Sequence, residues 1–394
     1  MKILFNLVFM MVGLSLSFPI AAQSVSVQFK KSWGPGSFIT AANKRGVIEY
    51  ETDGRGEPDF LITSLKAQDF SGKNLYFEIK IDKMENFSGL ELRLGDEGFK
   101  NYYALSLPNF ADPEFNIIQD EHWQTYSFGL SNARVVGHPQ KKFTRIGIYI
   151  QDNGKGPVHI ALRKIRFKPA PETGYVSLTF DDGYVSQIRA AEIMGKYKLP
   201  GTAYVMPRQI GQPGYMSLKQ IVELKTRYHW GISSHNAIPF TAFTPYALDK
   251  EINFTLNYLD RKGFSLTAPH LAYPMGRQDR DVVLPAVRKY FETARVAGGG
   301  VETLPPADPY LLRTVNVLDT TKPEELAEVV KNAVDNGQWA ILMFHYLVKQ
   351  PTTHIEYRES DFVKFIDLIG TAKVPVLTVD EVYRKFHSTM EARY

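Results

Sequence analysis

Two adjacent carboxylates, Asp181 and Asp182, stand where an apolar strand stops. They close the run Tyr175-Val-Ser-Leu-Thr-Phe180 and are followed at once by Gly183. Neighbouring like charges resist joint ionisation, so such a pair suits a place where a cation lies between them or where one is set apart as a proton acceptor. Three further polar groups end apolar runs in the same way: His235 after Trp230 to Ser233, the turn Tyr273-Pro274-Met275-Gly276 after His270 to Tyr273, and His345 after Trp339-Ala-Ile-Leu-Met-Phe344. Carboxylates and imidazoles are the side chains that move protons near neutral pH and bind divalent ions. Singly, each has an ordinary structural use, as a helix-entry turn or a cap on a buried strand. Their common position after strands sets them apart.

The elements that must position them alternate. From Gly174 onward, short β-branched runs are separated by stretches of helical period: helices over Val185 to Lys198, Ser217 to Arg227, Tyr246 to Lys262, Asp281 to Phe291, Pro323 to Asn336 and Asp361 to Gly370, and a terminal helix from Val379. The strands between them are Gly201 to Val205, Trp230 to Ser233, His270 to Tyr273, Thr293 to Ala297, Arg313 to Val317, Gln338 to Phe344 and Val374 to Leu377. About seven β/α units in succession predict a parallel sheet closed as a (β/α) barrel, whose strand C-termini bring distant loops to one rim.

The 394 residues before and around this region allow two cores. Residues 1–23 read as a secretory signal peptide: Lys2, an apolar run from Ile3 to Phe18, and small residues at Ala21-Ala22 suited to cleavage. After cleavage no membrane span is expected, and the address is secreted or periplasmic. The absence of cysteine excludes disulfides, thiol nucleophiles and thiolate metal sites, so a metal must be held by Asp, Glu or His. A net charge of +4 with mixed signs gives no reason to expect nucleic acid.

Residues 24–169 carry short alternating runs parted by Gly, Asn, Asp and Pro. They include Gly46 to Glu51, Asp59 to Ser64, Asn74 to Ile81, Gly89 to Arg93, Tyr102 to Leu107, Trp123 to Phe128, Phe143 to Ile150 and His159 to Phe167, with a first strand over Val25 to Phe29. This spacing predicts an antiparallel jelly-roll sandwich. Its pattern resembles the sandwich modules that accompany carbohydrate-active enzymes. Trp33, Trp123, Tyr102 and Tyr103 are candidates for stacking on sugars, although most sandwich aromatics are core. Lys168-Pro-Ala-Pro-Glu-Thr-Gly174 reads as a linker, and 170–394 as the second domain.

Leu178-Thr-Phe-Asp-Asp-Gly183 resembles the first motif of the polysaccharide deacetylases, the NodB-homology or carbohydrate esterase family 4 group. Ile232-Ser-Ser-His235 is similar to the start of their second motif, Leu271-Ala-Tyr-Pro-Met-Gly276 to a variant of the third, and Ile341-Leu-Met-Phe-His345 to the last. The resemblance implies a distorted barrel and metal-assisted hydrolysis of acetyl groups on a sugar polymer. It makes Asp181 the general base, Asp182 and His235 ligands to a divalent metal ion, zinc being the expected identity, and His345 the acid that protonates the departing amine. The turn at Tyr273 and Met275 would serve substrate and oxyanion, with the Met275 N–H as donor. A Lewis acid suits such chemistry because an amide carbonyl is a poor electrophile.

Two departures from the family pattern matter. The second motif normally supplies another histidine four positions after the first, and here Pro239 stands there; two protein ligands are one short of the usual catalytic zinc set. Asn236, Thr241 and His270 are the candidate replacements. The third motif usually carries an arginine that orients the base. Ala272 holds that position, and Arg313 is the expected substitute. The sequence therefore supports two functions: a deacetylase acting on N-acetylhexosamine units of an acetylated polysaccharide, and an inactive relative that binds carbohydrate. An esterase for O-acetyl groups would use the same groups.

Overall fold

The computed structural model describes residues 23–24, 28–39, 47–109, 115–118, 121–139 and 141–391. The expected signal segment lies outside the described residues, apart from Gln23, as do residues 25–27 of the first expected strand.

Period-2 alternation builds two antiparallel sheets from the first part of the chain. One runs Ser37–Phe38, Val47–Glu51, His159–Pro169, Lys73–Asp82, Gln124–Phe128, with Gln23–Ser24 also paired to His159–Pro169. The other runs Arg134–Val136, Tyr102–Ser106, Phe87–Gly95, Lys142–Asp152, Asp59–Asp69, Lys30–Trp33. The pleat sends Leu75, Phe77, Ile79 and Ile81 of the first sheet against Leu90, Leu92, Leu94, Ile146, Ile148 and Ile150 of the second, none more than 3% exposed. Full burial of each such side chain contributes about 1.5–3 kcal/mol.

The barrel follows. Its seven parallel strands are β1 Tyr175–Phe180, β2 Thr202–Val205, β3 Gly231–Ser234, β4 His270–Ala272, β5 Thr293–Gly299, β6 Leu312–Asn316 and β7 Gln338–Phe344. β1 pairs with both β2 and β7, which closes the ring. Outside it lie α1 Gln187–Gly195, α2 Leu218–Tyr228, α3 Pro245–Arg261, α4 Val283–Tyr290, α5 Pro323–Asp335, α6 Glu359–Thr371 and α7 Val379–Glu391. Local chemistry starts these helices where expected: Ser217 and Gln220 form a capping box on α2, and Thr244 caps α3 with Pro245 in its first turn. The strand expected at Val374 to Leu377 is reduced to a single bridge between Val376 and Val176, since Pro375 has no N–H to offer a ladder. None of the described helices is long and apolar enough to cross a membrane.

Sandwich and barrel do not merely adjoin. One continuous cluster of buried apolar side chains runs from the sandwich interior to Leu271, Val283, Leu284, Val287 and Val296 of the barrel. Polar groups tie the same boundary: Tyr76 donates its hydroxyl to the Pro305 carbonyl at 2.5 Å, Ser127 and Thr303 hydroxyls lie 2.7 Å apart, and Asn132 donates to the Val301 carbonyl at 2.7 Å. Gln338 accepts from the Ser131 N–H and donates to Asn74, both at 3.1 Å. Only glycine fits beside it, because a Cβ on Gly129 would come within 1.1 Å of the Gln338 amide nitrogen. The expected linker is pinned too, with the Gly174 N–H donated to the Val334 carbonyl at 2.8 Å.

Candidate active site

The two carboxylates part company at a tight turn. The Asp181 N–H still joins the sheet, donating to the Phe344 carbonyl at 2.9 Å, while Asp182 and Gly183 take left-handed backbone angles, φ 70° and 80°. Asp is among the few side chains that tolerate this conformation and Gly has no steric objection. The reversal leaves Asp181 5% exposed on the barrel axis and turns Asp182 toward the next strands.

Asp181 is gripped by Arg295 from the middle of β5, whose guanidinium bonds one carboxylate oxygen. A second guanidinium nitrogen faces the Met343 sulfur at 3.1 Å, and the group lies 4.6 Å from the centre of the Tyr204 ring. Gln187 at the start of α1 donates to the Asp181 carbonyl at 2.5 Å. The other Asp181 oxygen is 4.0 Å from Nε2 of His345. Burial lowers the basicity of His345, against the pull of Asp181 and Asp182.

Asp182 meets His235: Oδ1 and Nε2 are 3.1 Å apart, and the other ring nitrogen, Nδ1, lies 2.9 Å from the Ala272 carbonyl. Burial disfavours charge on both partners, yet their mutual hydrogen bond and attraction outweigh it. Asp182 is held below the ordinary carboxylate range and His235 above the ordinary imidazole range. The Tyr184 hydroxyl also favours ionised Asp182, and its ring stacks between Tyr346, centroids 3.6 Å apart, and Tyr215 at 5.1 Å. Beside His235 opens a cleft of about 460 Å³ lined by Met206, Arg208, Asn236, Ile238, Phe243 and Glu251, among others.

The geometry thus gathers Asp181, Asp182, His235 and His345, and it corrects other expectations. Arg313 does not reach Asp181. It forms a buried pair with Glu302 at 2.6 Å and donates to the Ser127 carbonyl at 3.0 Å, because β6 points it into the boundary with the sandwich. Arg295 holds Asp181 instead. A signal for it existed: a lone cation inside an otherwise apolar parallel strand requires a buried anion. Tyr273 is turned away from the cleft, 2% exposed, donating its hydroxyl to the Tyr310 carbonyl at 3.0 Å amid the apolar cluster shared with the sandwich. Met275 sits at the rim, 61% exposed with φ 55°, in a turn closed by the Gly276 N–H on the Tyr273 carbonyl at 2.9 Å. Gly276 packs so closely that a Cβ would meet Ala297 at 2.6 Å and the Phe115 ring of the sandwich at 3.1 Å.

Asn236 and His270, two of the three candidates for a third metal ligand, are engaged elsewhere. Asn236 donates to Glu251 at 2.8 Å and accepts from the Ile238 N–H at 3.1 Å; Pro239 opens a single 3-10 turn, and Thr241 lies within that turn. His270 stands at the opposite rim, where it, Glu292 and Asp380 are the group among the described residues whose three donor atoms lie within 4.8 Å of one another. Asp182 and His235 share a point in space, yet two side-chain donors do not complete the three-donor set of a catalytic zinc.

Residues 168–292 match the family model described as polysaccharide deacetylase. Among solved structures, a Streptococcus pyogenes deacetylase in complex with acetate shares 24% identity over 39% of this chain and 69% of its own, with a TM-score of 0.36. A family 4 acetyl xylan esterase from Clostridium thermocellum, in complex with a cobalt ion, shares 19% over 54% of this chain and 91% of its own, TM-score 0.38. A peptidoglycan deacetylase from Bacillus subtilis shares 15% over 57% of this chain and 97% of its own, TM-score 0.37. None of the curated proteins matches the chain. The match to the family model is confined to residues 168–292.

Proposed function

We propose that this chain hydrolyses acetyl groups from N-acetylhexosamine units of a polysaccharide, acting after export to the periplasm or exterior. The observation that supports it is the rim itself: Asp181, fixed by Arg295, lies 4.0 Å from His345, so that one reacting atom seated beside them can touch both. Asp181 takes a proton from a water molecule as the oxygen adds to the acetyl carbon. When the intermediate collapses, the carbon–nitrogen bond breaks, and His345 delivers a proton to the leaving nitrogen. One proton passes from water to amine through the Asp181–His345 pair, and the products are acetate and a free amino sugar. An imidazole whose basicity is lowered by burial gives up that proton readily once it has received it.

Family 4 deacetylases are metal-dependent in general, and Asp182 and His235 are the groups that would touch an ion, lending Lewis acidity toward the acetyl oxygen. Their donor set stops at two, so no step above is routed through a metal. That same shortfall favours a second reading, a carbohydrate-binding relative without turnover, in which Pro239 marks the loss of the ion. Acetate release from acetylated chitin oligomers and acetylated xylan, measured as purified, after chelation and after zinc or cobalt addition, separates the two. The enzyme reading expects acetate from the amino-sugar substrate. No acetate from either substrate under any of these conditions leaves only the binding protein.

A further inference from the structure

The two outer faces of the sandwich have different fates. The sheet that contains Lys73–Asp82 and Gln124–Phe128 turns Asn74, Tyr76 and Ser127 to the barrel and is covered there. The opposite sheet turns outward a row that crosses five strands in register: Ser106, Glu91, Tyr149, Phe60 and Trp33. Trp33 is 44% exposed and stacks at 5.6 Å on Phe60, which lies only 5% exposed beneath it, with the Tyr149 ring edge-on at 6.1 Å. In the next row Arg93 sits over three rings, those of Phe60, Tyr102 and Tyr149, at 5.2, 5.0 and 5.0 Å. Glu91 fixes it at 2.7 Å and also binds Arg134 at 3.0 Å and the Ser106 hydroxyl at 3.3 Å.

We propose that this face is a binding platform for a polysaccharide chain, the same class of polymer that the barrel's proposed reaction requires, so the choice of polymer rests on that reading. Aromatic rings offer an apolar face to the C–H side of a pyranose, and the charged groups between them offer planar donors and acceptors to its hydroxyls. Trp33 and Tyr149 stand two strands apart, a span of roughly 10 Å at about 4.8 Å per strand, enough for about two sugar units. The side chains are already immobilised by ion pairs and stacking on neighbouring strands, which lowers the ordering cost of binding. Charged groups interrupt the rings, so the face lacks the contiguous apolar area that a protein partner would cover.

The test uses the full chain in affinity gel electrophoresis with glycol chitin, acetylated xylan or hyaluronan in the gel. Trp33→Ala and Tyr149→Ala are each expected to weaken retardation by glycol chitin about tenfold. Their circular dichroism and their rate on an acetylated trisaccharide, too short to span both sites, should stay at the wild-type values. Unchanged retardation of both variants overturns the proposal. So does retardation by hyaluronan alone that salt abolishes and that does not depend on Trp33, which is ionic adsorption. Trp33-dependent retardation without acetate release from any polymer supports the platform while defeating the proposed reaction; acetate release with unchanged retardation does the reverse.

Discussion

The barrel holds two histidine–aspartate pairs of nearly equal geometry at its two ends. At the C-terminal rim His235 and Asp182 are 3.1 Å apart; at the N-terminal rim His270 and Asp380 are 3.2 Å apart. Each histidine is buried, and each places its second ring nitrogen 2.9 Å from an oxygen, the Ala272 carbonyl or the Thr293 hydroxyl. The difference lies in what else converges. Asp380 is also bound by Arg384 from α7 at 2.9 Å, and the Tyr383 ring packs edge-on against His270, so the cluster bolts the terminal helix under the barrel. Asp182 has Asp181 and His345 beside it, and its partner His235 lines a cleft. A histidine–carboxylate pair becomes a candidate site through its rim and its neighbours, not through its own geometry.

The strongest break of this comparison is removal of one carboxylate at each end. Asp181→Asn should lower acetate release per folded molecule by about 10²–10⁴-fold, the range for loss of a positioned general base, and, by leaving buried Arg295 without its charge partner, should also lower the thermal midpoint. Asp380→Asn should leave turnover by the folded protein unchanged: a charge partner of Arg384 and His270 is lost, costing roughly 1–3 kcal/mol in urea unfolding. Normal turnover in Asp181→Asn would show that the base has been misassigned.

A second contrast sharpens it. Arg295 and Arg313 are both buried and both paired, with Asp181 and Glu302 respectively. Removing one partner of such a pair leaves an uncompensated charge, so Arg295→Met and Arg313→Met should each lose roughly 3–5 kcal/mol of stability by denaturant titration. Only Arg295→Met should also lower turnover per folded molecule, since Arg313 works at the boundary with the sandwich. Equal activity loss in the two variants would mean that the sandwich boundary, not contact with Asp181, governs the base.

These arginines also mark where the sequence was legible. Strand and helix periods delivered the closed barrel and the sandwich, because each element is amphipathic or wholly apolar on its own. Asp181, Asp182, His235 and His345 were legible as groups because each directly follows a strand, and the topology brings strand ends together. The resemblance to the deacetylases points to Arg313 and says nothing of Arg295. Which of two buried strand arginines reaches a given carboxylate depends on the order of strands around the ring, and sequence neighbours do not carry that. The covering of one sandwich face by the barrel was equally hidden: Asn74, Tyr76 and Ser127 look like ordinary outward residues of a strand, and Tyr273 looked like a rim residue until the shared apolar cluster claimed it.

The finest distinction lies within the C-terminal rim and is electrical. In the metal-free protein His235 is expected to titrate above 6.5, because Asp182 and Asp181 outweigh its burial, whereas His345 should titrate below 6.5, because its burial wins. The signs give a window. A histidine whose folded value is raised contributes stability that is complete below its unfolded value and disappears as pH rises through the folded one. Asp182, depressed by the same partner, contributes stability present above its unfolded value and lost as pH falls through the folded one. The pair therefore stabilises between the low end of the carboxylate range and a point above the ordinary imidazole range. Asp182→Asn should lower the His235 midpoint in NMR titration of the ring protons and remove the decline of stability at the upper edge of that window. The His345 midpoint should also fall, by less, because Asp182 acts on it only through charge. A wild-type His235 midpoint below its ordinary value would mean that burial, not Asp182, controls it.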